Sequence, residues 1–324
     1  AYRINASFLP GPRHTVEEKL ASLQYYELDL TKDAVLEPNC VYLVELCECL
    51  KLRKTISAVA NPKSSTGRLD VFTRLIADRG STFDFVPAGY HGKLFIEICP
   101  RSFGIRVRQG SRLNQLRFHW KSAKQKRTDN PARVSDHDLK ALHDQEGLIA
   151  GPAIIRDGLN LTVNLSSISS DNLIGYKAKK YSGVIDVDEV GAQDKRKFWE
   201  PIFDQNENAL ILDPDSFYIL ASKELIRIPP DYAAEMAPFD PMMGEYRVHY
   251  AGFFDPGFGC QGKRPGARAV LEVRSLDIPF NLEDGQVIGR LVFEKMTAEP
   301  EALYGQDIGS HYQAQGLKLS KHFR

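Results

Sequence analysis

The sequence predicts a mainly β chain in which one fold is written twice, with few short helices. Most segments are short alternating or apolar stretches bounded by Gly, Pro, Asn and Asp, and helical periodicity is scarce. An internal repeat supplies the second observation. Leu36-Glu-Pro-Asn-Cys-Val-Tyr-Leu lines up with Leu212-Asp-Pro-Asp-Ser-Phe-Tyr-Ile at an offset of 176, and the match runs on from Glu48-Cys-Leu-Lys-Leu to Glu224-Leu-Ile-Arg-Ile. Further along, Glu97 matches Glu272, Gly110 matches Gly285 and Phe118 matches Phe293, all at an offset of 175. One offset held over so many positions is the signature of a repeated structural unit.

The elements follow in chain order. Residues 1–120 form the first repeat, with strands at Val41-Tyr-Leu-Val-Glu-Leu and Lys93-Leu-Phe-Ile-Glu-Ile. Residues 121–150 read as a polar linker, opened by the basic run Lys121-Ser-Ala-Lys-Gln-Lys-Arg127. The linker leads into a short helix over 136–146, with Ser135 as N-cap, Leu139, Ala141 and Leu142 as apolar positions and Gly147 as the stop. Residues 151–296 form the second repeat, with strands at Ala269-Val-Leu-Glu-Val and Val287-Ile-Gly-Arg-Leu-Val-Phe. An additional strand-like segment, Leu159–Leu165, has no counterpart in the first repeat. The echo of Ala1-Tyr-Arg-Ile in Gly175-Tyr-Lys-Ala therefore suggests a first-repeat strand missing before Ala1. Residues 297–324 form a tail.

Composition sets limits on function. A chain of 324 residues has room for about two domains, and 43% hydrophobic with 26% charged residues suits a folded protein. Lys plus Arg and Asp plus Glu are 42 each, which argues against a nucleic-acid or membrane-surface binder, although a local anion site is allowed. No apolar run reaches the roughly 18 residues of a membrane span and no signal peptide opens the chain. Five cysteines, an odd count, point to a reducing, cytoplasmic compartment. Cys47 and Cys49 lack a second ligand pair and suit burial on one strand face as well as metal binding.

A repeated fold that divides its labour keeps its scaffold and differs at its sites. In the first copy Asn61-Pro-Lys-Ser-Ser-Thr-Gly-Arg-Leu-Asp70 concentrates hydroxyls, a Gly and two cations. Lys63, Ser64, Ser65 and Arg68 suit a phosphate, and a Ser/Thr-rich turn with exposed charges is the plain alternative. The corresponding stretch of the second copy, Pro238-Phe-Asp-Pro-Met-Met-Gly-Glu-Tyr-Arg247, lacks that set. The second copy instead carries His249-Tyr-Ala-Gly-Phe-Phe-Asp-Pro-Gly-Phe-Gly259, a tight turn whose preceding apolar residues could wall a flat ring. Each copy sets one Glu, Glu97 or Glu272, in an otherwise apolar strand. Burial there should raise the pKa towards that of a general base, while a solvated face or a structural ion pair is the alternative. The tail, with Tyr304 and His311-Tyr-Gln-Ala-Gln-Gly316 followed by Lys318 and Lys321, reads as a flap for an anionic ligand or as a frayed end.

Together these motifs resemble the dCTP deaminase branch of the dUTPase-like superfamily, once per repeat. Lys63-Ser-Ser-Thr-Gly-Arg68 resembles the family's Arg-Ser-Ser-x-x-Arg motif. Asp255-Pro-Gly-Phe-Gly with Leu271-Glu272 is similar to its Asp-Pro-Gly-Trp…Leu-Glu segment. Asp284-Gly-Gln-Val-Ile-Gly-Arg-Leu-Val-Phe293 resembles its Pro-Gly-x-x-Ile-Gly-x-Leu-x-Phe strand, and the tail resembles Lys-Tyr-Gln-Gly-Gln-x-Gly with His311 at the Lys position.

The resemblance implies two tandem dUTPase-like distorted β-barrels, a homo-oligomer with a trimer favoured, and zinc-independent hydrolysis of dCTP to dUTP and ammonia. That reaction would supply dUTP for thymidylate synthesis. The zinc-deaminase ligand set His-x-Glu…Pro-Cys-x-x-Cys is absent from the sequence. The expected catalytic residues are Glu272, Arg68 and Ser64, with Glu97 as the competing base. Lys63, Ser65, Ala251, Phe254, Asp255, Tyr304, His311 and Gln315 are expected to bind substrate, with Mg²⁺ carried on the triphosphate. Neither copy holds a full set, since the first shows Pro87-Ala-Gly-Tyr-His-Gly where the second has Asp-Pro-Gly. The expectation is a composite site: Ser64, Ser65 and Arg68 of a first repeat with Ala251, Asp255 and Glu272 of a second. A dUTP diphosphatase, a bifunctional deaminase–diphosphatase and a non-catalytic nucleotide-binding regulator are the competing readings.

Overall fold

The structure is a computed structural model that describes residues 1–120, 132–166, 172–204, 207–237, 246–248, 252–260, 266–305, 312 and 316–324. It is mainly β, and each repeat forms a barrel-like β unit around its own core. In the first, a five-stranded sheet runs Gln24–Glu27, Tyr2–Ile4, Val41–Lys51, His91–Pro100, Val71–Ala77. In the second, the equivalent sheet runs Trp199–Phe203, Leu173–Ala178, Phe217–Ile226, Ala267–Ser275, Tyr246–Val248. Register repeats with order. Leu43 pairs with Tyr2 and Glu97, and Ile219 pairs with Tyr176 and Glu272.

The repeated Leu-x-Pro segment shows why one offset persists. Asn39 and Asp215 occupy the same left-handed position, at φ 61° and 51°, where a short polar side chain is tolerated. Four residues beyond each Leu-x-Pro opening, Glu37 N–H donates to the Tyr42 hydroxyl at 3.0 Å, and Asp213 N–H donates to the Tyr218 hydroxyl at 2.8 Å. Burial raises both phenols, Tyr42 to about 12, so each ring is fixed as a neutral, hydrogen-bonded core group.

Second sheets complete each unit. Asn114–Trp120, Ile56–Pro62 and Phe85–Val86 associate in the first unit. Leu159–Thr162, Val287–Lys295, Tyr232–Ala237 and Phe253–Phe254 associate in the second. The unmatched segment of the second repeat is thus an additional strand, paired with Val287–Lys295, though it is regular only to Thr162. The first core gathers Ala58, Leu75, Val86 and Leu94, and the second gathers Leu161, Leu220, Leu271 and Phe293 among others.

Helices behave as the caps dictate. Asp136–Glu146 starts on the Ser135 side chain and ends on Gly147 at φ 64°. Leu139 and Leu142 enter the second core while Ala141 is exposed, which corrects its apolar assignment: one face of a short helix suffices. A further helix, Val16–Leu23, opens with a Thr15/Glu18 capping box and packs Val16 and Leu20 against Ile4, Leu43, Ile76 and Phe95. Thr15-x-x-Glu18 is its sequence signal.

The chain divides into two compact units: residues 1–131, 179–198 and 320–324, and residues 132–178 and 199–319. Residues 179–198 join the first because Val184–Asp186 pairs in parallel with Gly104–Val107. Residues 320–324 join it through Gly191 N–H to Lys321 O and Gln193 N–H to His322 O, both 3.0 Å. Lys121–Arg127 lies outside the described residues. Cys47 and Cys49 are exposed on Val41–Lys51, which corrects the expectation of buried sulfurs.

Gly259 gives a test of the second unit. It sits at φ 71°, and a Cβ there would lie 2.0 Å from the Ile226 carbonyl oxygen. Gly259→Ala should therefore cost about 3 kcal/mol of stability, read as a lowered urea midpoint. An unchanged midpoint would show that this backbone is free to shift.

Candidate active site

The Ser-Ser-Arg element is one helical turn, Ser64–Gly67, between the Ile56–Pro62 and Val71–Ala77 strands of the first unit. Lys63 leads in with extended backbone, and Asp70 leaves in the left-handed region at φ 56°. Lys63 N–H and the Thr66 hydroxyl both donate to the Leu113 carbonyl at 2.8 Å. The Ser102 hydroxyl donates to Asp70 at 2.6 Å. Ser65 and Arg68 are buried, whereas Lys63 and Ser64 are half-buried. The turn is therefore a built feature of the core, not an exposed polar loop. The Lys63 ammonium is pushed below the usual lysine range by burial, then by Lys321 and Arg112. Three cations around one turn suit an anion.

The first unit holds a further arrangement on this turn. The Ser320 hydroxyl lies 2.8 Å from the Ser65 carbonyl and 2.8 Å from His322 Nδ1, while His322 Nε2 lies 2.9 Å from the Val187 carbonyl. Residues 317–324 are accordingly no frayed end, since Leu319, Ser320 and His322 are buried. The sequence offered only Lys321 here, as a cation following the tail motif. Nothing local marks Ser320 or His322.

The two glutamates occupy equivalent central strands and differ in their partners. Glu97 is 1% exposed and accepts from Arg74 Nη2 at 2.6 Å and Nε at 3.0 Å across the Arg74–Glu97 strand pair. Arg74 is itself held by the Ser7 hydroxyl at 2.7 Å and stacks 3.7 Å from the Phe83 ring centroid. Of the readings open for Glu97, the ion pair is the one present. Glu272 is 7% exposed, on the face of its strand opposite the core residues Leu271 and Val273. On the same strand Arg274 pairs with Asp215 at 2.8 Å, and Arg268 donates to the Ser222 carbonyl at 2.6 Å. The offset that carries Glu97 to Glu272 carries Arg74 to His249, which lies outside the described residues.

Asp255-Pro-Gly is the turn its sequence announces, with Phe258 N–H donating to the Asp255 carbonyl at 3.1 Å and Gly257 at φ 87°. Phe254 and Tyr304 both pack on Phe258, with ring centroids 5.1 Å and 5.7 Å away. Tyr304 N–H donates to the Pro256 carbonyl at 2.9 Å. The structure thus brings Phe254, Asp255 and Tyr304 together in the second unit, and Lys63, Ser64, Ser65 and Arg68 together in the first. Ala251, His311 and Gln315 lie outside the described residues. Among the described residues no group of three or more His, Cys, Asp and Glu is gathered as a metal site needs, and no helix is long and apolar enough to cross a membrane.

Comparison with known proteins decides the family. The model of the 2'-deoxycytidine 5'-triphosphate deaminase C-terminal domain matches residues 135–323, and that of its N-terminal domain matches residues 1–123. The chain belongs to the dCTP deaminase family. It is 50% identical to the chain in a crystal structure of 2'-deoxycytidine 5'-triphosphate deaminase from Agrobacterium tumefaciens, with a TM-score of 0.85 over 91% of this chain and 86% of that one. It is 29% identical to a dCTP deaminase, dUMP-forming, from Pseudarthrobacter chlorophenolicus over 56% of this chain and 90% of the relative. It is 26% identical to one from Methanosphaera stadtmanae over 59% of this chain and 93% of the relative. These relatives are of an enzyme family, and the two domain models together match both repeats.

Two outcomes follow. Arg74→Met should destabilise the chain by about 2–3 kcal/mol in urea, because it leaves the Glu97 carboxylate buried without its cation. Adding Glu97→Gln should recover part of that loss. No recovery would mean that the two side chains act independently.

Burial, then Lys321, lowers the His322 pKa from 6.5, with the Val187 carbonyl, Asp188 and Asp186 opposing. The unfolded chain thus takes up a proton where the folded chain does not, and stability falls as pH drops below 6.5. His322→Gln should flatten the thermal midpoint between about pH 6.5 and 5. An unaltered slope would assign the loss to other groups.

Proposed function

We propose that this chain deaminates dCTP by hydrolysis with Glu272 as general base, and that Ser64, Ser65 and Arg68 serve the phosphates and the reacting ring. Family membership supports the reaction, and the place of Glu272 in the repeat that also carries the Asp255-Pro-Gly turn and Tyr304 supports the assignment.

In the proposed chemistry, Glu272 takes a proton from water and the hydroxide adds to cytosine C4. Glu272 then passes the proton to the exocyclic amine, which leaves as ammonia. The balance is dCTP plus water to dUTP plus ammonia, with no redox change. Arg68 and Ser64 place the water and meet the charge that develops on the ring. Lys63 and Ser65 bind phosphate oxygens, and Mg²⁺ enters as part of the nucleotide. The Phe254–Asp255 turn and Tyr304 contact the nucleoside, together with Ala251, His311 and Gln315. Each repeat thus contributes a different part of the set. Assembly as a homotrimer rests on the resemblance, and cytoplasmic residence rests on the five free cysteines.

The names of the curated relatives favour a second reading, in which dUTP is hydrolysed onward to dUMP and pyrophosphate. Incubation with dCTP and Mg²⁺, with ammonia and nucleotides resolved, separates the two by product.

The glutamate assignment has its own test. Glu272→Gln should lower kcat by about 10²–10⁴-fold while dCTP binding persists, and Glu97→Gln should keep turnover within severalfold per folded molecule. The opposite pattern would make Glu97 the base.

A further inference from the structure

The helical ladder of the Ser64–Gly67 turn omits one acceptor. Gly67 N–H reaches Lys63 O, Arg68 N–H reaches Ser64 O, and Leu69 N–H turns back to Thr66 O at 3.0 Å. The carbonyl of buried Ser65 is passed over. Its donor is the Ser320 hydroxyl, 2.8 Å away and 255 residues distant in sequence. A buried carbonyl without a donor is costly, so this bond sets where the Ser65 peptide lies.

The donor is itself held in place. His322 Nδ1 lies 2.8 Å from Ser320 Oγ, and Nε2 lies 2.9 Å from the Val187 carbonyl. A carbonyl only accepts, so Nε2 carries a proton; Nδ1 of the neutral ring then accepts, and the one Ser320 hydroxyl proton is shared between it and the Ser65 carbonyl. Arg324 N–H donates to Gln193 O at 3.0 Å, and the Phe323 ring lies 5.6 Å from that of Phe198. Between the two buried residues, Lys321 adds its charge to the field felt by Lys63.

We propose that Ser320 and His322 are positioning residues for the Ser64–Gly67 turn. The inference rests on the reading of that turn as the phosphate-holding element. Ser320 fixes the peptide from which the Ser65 side chain projects, and His322 fixes Ser320. Both act through the turn, so their loss acts first on binding of the phosphates.

The experiment compares the full-length protein with Ser320→Ala, Ser320→Thr and His322→Gln, the last retaining a donor for the Val187 carbonyl. Amide exchange over residues 63–69 is followed without nucleotide, and kcat and KM are measured for dCTP. Ser320→Ala should speed exchange over that stretch roughly tenfold and raise KM about tenfold, with kcat within threefold. His322→Gln should shift both in the same direction by less. Ser320→Thr, which keeps the hydroxyl, should restore the wild-type exchange. Unchanged exchange and KM in Ser320→Ala would overturn the proposal, even with a lowered melting temperature. If the wild-type protein releases no ammonia from dCTP, the deaminase reading fails, and the exchange measurement still decides the positioning role.

Discussion

A carboxylate placed mid-strand between sheet neighbours has to be compensated where it lies, and both repeats carry one. Glu97 is shut away from solvent, so its charge is tolerable only because Arg74 on the adjacent strand donates both Nε and Nη2 to its Oε1, with its own support from Ser7 and Phe83. Much of the first sheet is arranged around that need. The strand register must put residue 74 opposite 97, and the segment holding Ser7 must lie over the pair. The second sheet keeps the register and the Glu, and in sequence His249 stands at the offset of Arg74.

Most of the fold is legible in the sequence because it is locally written. Leu-x-Pro-Asn and Leu-x-Pro-Asp demand a left-handed turn at the same place, and the Tyr that follows has one backbone N–H within reach of its hydroxyl. Ser135 and Gly147 mark the ends of a helix as caps do anywhere. The helix Val16–Leu23 is signalled by its Thr15/Glu18 capping box, but eight residues are too few for a helical period to stand out in a β-rich chain. The first unit's claim on residues 179–198 was not legible. A parallel pairing between Val184–Asp186 and Gly104–Val107 leaves no trace in either segment's own pattern.

The candidate site divides in the same way. Lys63, Ser64, Ser65 and Arg68 announce themselves because four polar residues interrupt a β pattern, and Asp255-Pro-Gly announces a turn by its composition. What cannot be read is which carbonyl a helical turn will leave unfilled. That depends on Leu69 N–H turning back to Thr66, a matter of backbone geometry. The residue that fills the gap is a serine among other serines, 255 positions away. Its partner is a histidine whose burial no neighbour foretells.

Recurrence alone therefore says little about catalysis in a doubled chain. A Glu that repeats at one offset, in one register, is accounted for by stability as soon as it has an Arg beside it, since removing the Arg would strand the carboxylate in the core. The informative positions are those where the scaffold repeats and the sequence does not, as where Arg74 becomes His249 at the shared offset. The Ser-Ser-Arg turn, likewise, is informative because Ser320 holds it in one repeat only.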